Sequence, residues 1–560
     1  MKAHVTKDET SVTVTSEFHD GRARMGPDRK WDPKNKVWRM PLVESTGRFI
    51  RKHFREDEID PVLLAIFEEM DSRKKKRETS SFPLWYRFKN KPMDHQIEAL
   101  NKAWGKPAFA LFMEMGTGKT FTAINWSCAL IMDAQAQGLL VICPTSIKAV
   151  WKNEIQLHSP IDLDVFILEA GGQREFDRWM KTETSKSRVL VVGVESLSQG
   201  SAHSIATEFA ATVHPAMVVD ESSRIKTPNA TRTTRCWDIG VLCPNRMILT
   251  GTPITQGMQD LFAQYRFLDW TIINQKSFFA FRNRYCLMGG FESRQIVGYV
   301  NVDELMEYVA PYTYIVKKED VLDLPPKVYE TIQVEPNPEQ ARVFQSLNNK
   351  YDMRADLGDK ELEVETILER MTRYQQVAGG LFPFKEDEES PNKYGTERFP
   401  GKNPKMEAMM EMIDDLDHSA KVIIWARFIP EQVWIVEELE KRYGKQSTVY
   451  FAGGMNTDER LDAIDMFQNS DTHRFFVSSP TLGGIGLTLT AASYVVYYSN
   501  SFSLEDRLQS EDRAHRKGQT KSVTYIDIQM NHKIDKDIEL ALKSKKSVAQ
   551  YVEDQIRSQK

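Results

Sequence analysis

Met113-Glu114-Met115-Gly116-Thr117-Gly118-Lys119-Thr120 has the residue types that hold a polyphosphate. Gly116, Thr117 and Gly118 form a turn whose backbone N–H groups can close around phosphate oxygens, and a following helix N-terminus adds partial positive charge. Lys119 would reach the β- and γ-phosphates, and the Thr120 hydroxyl would ligate Mg2+. One position departs from the generic loop: Met113 stands where its first glycine is expected. Asp220-Glu221 is a second chemical pair. Asp220 would hold the metal through its water shell, and Glu221 would orient and deprotonate an attacking water. Arg513 and Arg516 are three residues apart, which on a helix puts them on one face. Arginine's planar fork grips phosphate oxygens bidentately. Gln96 lies upstream on a predicted helix, and its amide suits the edge of an adenine ring.

These side chains need a frame. Ala108–Phe112, Leu139–Cys143, Val189–Val192 and Ala216–Val219 are apolar runs separated by helical patterns. That alternation predicts a parallel sheet buried on both faces. Ligands of such sheets sit at the carboxyl ends of the strands. Lys119, the Pro144-Thr145 turn and Asp220 all follow such ends. Val422–Trp425, Phe475–Val477 and Tyr494–Tyr498 predict a second α/β sheet that has no phosphate loop of its own.

Composition narrows the class. A chain of 560 residues should form several domains. Apolar content of 41% supplies ordinary cores, and a net charge of −5 rules out a polycation, so any nucleic-acid surface must be a local groove. The five cysteines include no C-x-x-C pair, which argues against zinc and suits a reducing compartment. No apolar run is long enough to span a bilayer, and Met1–Asp20 lacks a secretory core. The expectation is a cytoplasmic protein, or a nuclear one in a eukaryote, with no membrane partner.

Residues 21–54 are basic and aromatic, with Arg29, Lys30, Lys34 and Lys36 interleaved with Trp31 and Trp38. Trp31–Trp38 reads as two short strands joined by a turn. Two readings stand. Arg29 and Lys30 would neutralise phosphates while Trp38 stacks on unpaired bases, or the tryptophans are the core of a small β-module. Ile59–Met70 reads as an amphipathic helix, and the basic run Arg73–Arg77 as a solvated linker.

Taken in order, Gln96, G-T-G-K-T (116–120), Asp220-Glu221-Ser222-Ser223-Arg224-Ile225-Lys226 and Leu249-Thr250-Gly251-Thr252-Pro253-Ile254 resemble the Swi/Snf-type ATPases of helicase superfamily two. Thr481-Leu482-Gly483-Gly484-Ile485-Gly486-Leu487 is similar to the family's fifth motif, and Gln509–Gln519 to its sixth. Ser222-Ser223 departs from the family's usual Ala-His or Gly-His, so no role of that histidine carries over. The resemblance implies an α/β fold of two RecA-like lobes, with helical insertions and a small N-terminal α+β or β module. It implies ATP and Mg2+ as cofactors, with Gly486 and Gln509 near the nucleotide and Arg513 and Arg516 completing its site. It also implies that Thr145, Thr250 and Thr252 touch a DNA backbone or relay nucleotide state, and that Thr481 and Gly483 approach nucleic acid.

The expected domains are an accessory module and linker (1–80), an ATP-binding lobe (81–270) and a helical protrusion with inter-lobe region (271–403). A second lobe (404–530) and a C-terminal brace helix (531–560) complete the chain. Lys385–Lys402 reads as an exposed loop. The resemblance implies translocation on double-stranded or branched DNA by a compact, bacterial- or phage-like monomer, in repair, recombination or fork processing. A strand-separating DNA or RNA helicase is the alternative, and a non-hydrolysing nucleic-acid clamp is the third reading.

Overall fold

The computed structural model describes residues 4–8, 11–15, 21–23, 26, 29–42, 44–78, 81–290, 295–348, 354–358, 360–364, 366–385, 394–483 and 487–558. The chain forms two units, Met1–Val321 with Val548–Lys560, and Leu322–Ser547.

The first unit opens with β1 (His4–Asp8), β2 (Ser11–Thr15), β3 (Lys30–Asp32) and β4 (Val37–Pro41). They pair antiparallel in the order β1-β2-β4-β3. Period-two patterning works as strand geometry requires: in β4, Trp38 and Met40 are buried while their neighbours are half-buried. The two join Val12, Val14, Ile50, Phe54 and Phe67 in one apolar core. The β3–β4 turn is tied by Asp32, which accepts from the Lys34 and Asn35 amides and from Arg39. Trp38 is thus a core residue, 8% exposed, with its ring centroid 5.2 Å from that of Trp31. Of the two readings, the core of a small β-module is the one that fits Trp38, whereas Arg29 and Lys30 are exposed. Trp38→Ala is expected to destabilise this module by about 3–5 kcal/mol. Hydrogen exchange in the full chain would read this as lost protection of β1, β2, β3 and β4. The helix Pro61–Glu78 continues through Arg73–Arg77, where the sequence pattern suggested a linker.

The main sheet of this unit contains β5 (Ala108–Met113), β6 (Gly138–Cys143), β7 (Leu163–Ile167), β8 (Ser187–Gly193), β9 (Ala216–Asp220) and β10 (Arg246–Thr250). A hairpin of β11 (Cys286–Gly289) and β12 (Gln295–Tyr299) follows, then β13 (Thr313–Val316). The order is β13-β5-β10-β9-β6-β8-β7, parallel throughout. Ala108, Ala110 and Phe112 enter the core on one face, and Phe109, Leu111 and Met113 the core on the other. Both faces of β5 are therefore dry, which explains its unbroken apolar run. β13 lies inside the region expected to be a separate protrusion, yet it pairs with β5.

The second unit contains β14 (Lys327–Val334) and two hairpins, β15 (Arg354–Leu357) with β16 (Lys360–Glu363), and β17 (Leu381–Lys385) with β18 (Tyr394–Arg398). Then come β19 (Lys421–Trp425), β20 (Thr448–Tyr450), β21 (Phe475–Ser478), β22 (Ala492–Tyr497) and β23 (Val523–Met530). Its parallel sheet runs β14-β23-β22-β19-β21-β20. β14 also comes from the expected protrusion, so that stretch is shared between the two sheets and divides at Val321/Leu322. Tyr394–Arg398 is a strand within the expected loop Lys385–Lys402, because it pairs with β17.

The helix Lys533–Ser558 is one continuous element. Ile534 and Ile538 belong to a core of the second unit, while Ala549, Val552 and Ile556 belong to the core of the first. Among the described residues, no helix is long and apolar enough to cross a membrane.

Candidate functional site

In the first unit the chemical residues gather at the carboxyl ends of β5, β9 and β10. Met113 ends β5 with strand pairing to Val316 and no exposure, so its backbone needs no glycine. The left-handed conformations fall on Gly116 and Gly118 instead. Gly118 has φ +86°, and a Cβ there would lie 2.0 Å from Gln96 Nε2. Only glycine meets both demands. The helix Lys119–Met132 begins directly after it. Thr117 Oγ1 donates to Glu114 O at 2.7 Å, and Lys119 Nζ donates to Met113 O at 2.9 Å. Gln96 is 5% exposed and is fixed at both ends. Its Oε1 accepts from Met93 N at 2.9 Å, and its Nε2 donates to Thr117 O at 3.4 Å. The glutamine is thus joined to the phosphate loop itself.

Asp220 closes β9 and is 6% exposed. Its Oδ1 accepts from Glu221 N at 2.9 Å, and its Oδ2 accepts from Trp151 Nε1 at 2.9 Å. Burial pushes this carboxyl above the usual range, while the Lys119 charge, the indole N–H and the Glu221 amide pull the other way. Glu221 adopts φ 48°, ψ 56°, a left-handed conformation that costs a non-glycine residue about 1–3 kcal/mol. The turn is held by Arg224 N donating to Glu221 O at 2.9 Å. Glu221 is thus both the proposed water-activating residue and the one strained position of the turn Glu221–Ile225. Thr120 and Asp220 present hard oxygen donors, which fits Mg2+.

Gly251 follows β10. A Cβ on it would stand 3.2 Å from Met115 N and 3.3 Å from Met113 O, so this segment lies against the phosphate loop. Thr250 and Thr252 are 0% and 8% exposed, and Thr250 Oγ1 accepts from Thr252 N at 3.0 Å. Their burial corrects the expectation that they touch a DNA backbone and leaves the relay reading for them. Ser222, in the segment that departs from the family pattern, donates to Gln264 Oε1 at 2.7 Å. Gln264 Nε2 in turn donates to Pro253 O at 2.8 Å and Asp260 O at 2.9 Å. Asp260 Oδ2 accepts from the Thr255 and Gln256 amides at 2.8 Å each. A buried polar network therefore ties the carboxylate turn to the segment after β10.

Thr145 follows β6, and its N–H and hydroxyl both donate to Glu195 Oε2, at 3.0 and 2.8 Å. Glu195 also lies 3.9 Å from Arg224 Nη1. Sequence reasoning missed Glu195, Gln264, Asp260 and Trp151 as site residues. For Glu195 the available signal was a carboxylate three residues past the end of the apolar run Val189–Val192. Glu553, on the C-terminal helix, is pushed up to about 7 by burial and then by the charge of Glu114, with Lys317 opposing.

In the second unit, the helix Leu504–Glu511 ends before the arginine pair. Arg513 and Arg516 therefore lie on turns, which corrects the shared helical face. They converge all the same, because both Nη1 groups donate to Leu487 O at 3.3 Å. Arg513 is 4% exposed and its Nε also donates to Gln509 O at 3.0 Å, while Arg516 Nη1 reaches Thr488 Oγ1 at 3.1 Å. The Gln519 amide fixes the far end of the segment through Thr490 O, Ala492 O and Ala514 O. Gln509 is 3% exposed, and Thr481 is exposed with its hydroxyl on Asp506 at 3.1 Å. Gly483 ends the helical turn Pro480–Gly483. Gly486 lies outside the described residues.

Residues 95–379 match the SNF2-related domain, and residues 404–518 match the helicase conserved C-terminal domain. The Caenorhabditis elegans homolog of SWI/SNF-related matrix-associated actin-dependent regulator of chromatin subfamily A-like protein 1 is 28% identical over 415 residues, covering 73% of this chain and 54% of the relative. YwqA of Bacillus subtilis is 24% identical over 441 residues, covering 78% of this chain and 45% of the relative. This chain thus spans about half the length of these curated relatives. The Sulfolobus solfataricus SWI2/SNF2 ATPase core, solved in complex with dsDNA, aligns at a TM-score of 0.38 with 22% identity, over 84% of this chain and 95% of that one. The glycine loop, the carboxylate turn and the converging arginines sit inside the matched stretches, and the chain belongs to the SNF2-related family.

Proposed function

We propose that this chain is a DNA-dependent ATPase that hydrolyses ATP with Mg2+ to translocate along double-stranded or branched DNA, remodelling it in repair, recombination or replication-fork processing. The observation that carries the reading is the placement of Lys119, Thr120, Asp220 and Glu221 at or past the carboxyl ends of β5 and β9, the two strands that flank β10, with Glu221 held in a strained backbone. In this reading Lys119 binds the β- and γ-phosphates, and Thr120 and Asp220 hold the Mg2+, which neutralises charge on the transferring phosphoryl group. Glu221 orients the water and takes its proton. A side chain whose backbone is over-determined in a costly conformation meets its target with little reorganisation. Arg513 and Arg516 supply positive charge for ATP turnover. Thr145, Thr481 and Gly483 contact the DNA backbone, and Arg29 and Lys30 add a basic surface. Gly486 and Gln509 stand with the nucleotide-binding residues. The protein works as a monomer.

The test is ATP turnover by the full chain with duplex, forked and single-stranded DNA and with RNA, beside triplex displacement and strand separation. Stimulation by duplex or forked DNA, with third-strand displacement and no unwinding of a plain duplex, is the expected result. Strand separation would favour a helicase, and nucleotide binding without turnover would leave a clamp.

A further inference from the structure

We infer that Trp151 is a positioning residue for the metal-facing carboxylate, its indole N–H fixing the plane in which Asp220 meets the cation. The inference rests on the reading of Asp220 as a holder of Mg2+. Trp151 lies on the helix Lys148–His158, is 1% exposed, and places Nε1 2.9 Å from Asp220 Oδ2. The other oxygen, Oδ1, accepts from Glu221 N at 2.9 Å. Each carboxylate oxygen thus has one N–H donor, and rotation about the side-chain bond would break one of the two. An ionised carboxylate has about four acceptor sites, so lone pairs remain for the metal's water shell.

The donor's chemistry suits this task. Indole is a donor only and carries no charge. It orients the anion without cancelling the charge that attracts the cation, as a lysine or arginine in its place would do. Burial alone does not account for the bond. Trp126 and Trp425 are also fully buried, and their indole nitrogens have no hydrogen-bond partner. This chain therefore tolerates buried indoles with unmatched N–H groups, yet the indole of Trp151 is directed at the one carboxylate that closes β9. The anchoring continues on the other side of Trp151. The segment leading into its helix is fixed by the two hydrogen bonds from Thr145 to Glu195, so the indole is carried on an element pinned at its start. Outer-shell donors of this kind are worth about 10–100-fold in metal affinity.

The test uses the full chain with Trp151→Phe, and a second variant carrying benzothienylalanine at position 151. The second keeps the bicyclic shape and replaces N–H with sulfur, so the lost hydrogen bond is read without a packing change. Mn2+ binding in the presence of ADP is measured by electron paramagnetic resonance, ADP affinity without metal by fluorescence, and ATP turnover across a Mg2+ titration. The half-saturating Mn2+ concentration should rise about 10–100-fold, with metal-free ADP affinity unchanged and turnover recovering at high Mg2+. Wild-type Mn2+ affinity in the folded benzothienyl variant would overturn the inference. A wild-type protein whose ADP binding ignores Mn2+ would instead overturn the underlying reading of Asp220, and the inference with it.

Discussion

Glu221→Gln is expected to lower the turnover number by about 10²–10⁴ while nucleotide binding survives, the range for losing a positioned general base. The substitution keeps size and shape at a residue whose backbone is left-handed. It removes the proton acceptor and its negative charge. Asp220 keeps both of its donors, because the amide it accepts from belongs to the backbone of residue 221. Binding of a fluorescent ATP analogue should therefore stay near wild type while phosphate release in a single-turnover experiment collapses. Turnover within a few-fold of wild type would remove Glu221 from the chemistry.

Arg516→Ala should cost more, about 10³–10⁵ in turnover, by analogy with other arginines that stabilise phosphoryl-transfer transition states. Arg516 is a cleaner test than Arg513. Arg513 is buried and braces Gln509 O and Leu487 O, so its loss also disturbs the turn. Arg516 is half-buried, and its hydrogen bonds go to Leu487 O and Thr488 Oγ1. Arg516→Lys separates charge from geometry, because lysine keeps the charge but loses the planar fork. If the fork matters, lysine rescues little of the loss. A wild-type rate in Arg516→Ala, with a wild-type melting profile, would mean that hydrolysis proceeds without the second unit's arginines.

The glycine loop, the carboxylate pair and both parallel sheets were legible in the sequence, because each rests on local pattern. A buried strand reads as an apolar run, and a phosphate turn needs glycines at fixed offsets. Less legible features depend on partners distant in the chain. β13 and β14 sit in an irregular stretch, and their membership in two different sheets is decided by pairing with β5 and β23. Trp38 could stack or pack, and Val12, Val14 and Phe67 decide the matter. Thr250 and Thr252 look like backbone-contacting hydroxyls until their burial is known. The Arg513–Arg516 spacing suggested a helix, yet the helix stops at Glu511 and a turn delivers both side chains to one carbonyl. Glu195 and Trp151 could not be assigned, since their partners Thr145 and Asp220 lie 50 and 69 residues away.

The helix Lys533–Ser558 sets an order of events during synthesis. Ala549, Val552 and Ile556 fill part of the core of the unit that begins at the N-terminus. At ribosomal speeds of about 5–20 residues per second, translating Leu322–Ser547 takes roughly 11–45 s. Throughout that interval the places of Ala549, Val552 and Ile556 in the core of the phosphate-loop unit stay unfilled. The first unit should therefore complete its core only after Val548–Ser558 has been translated.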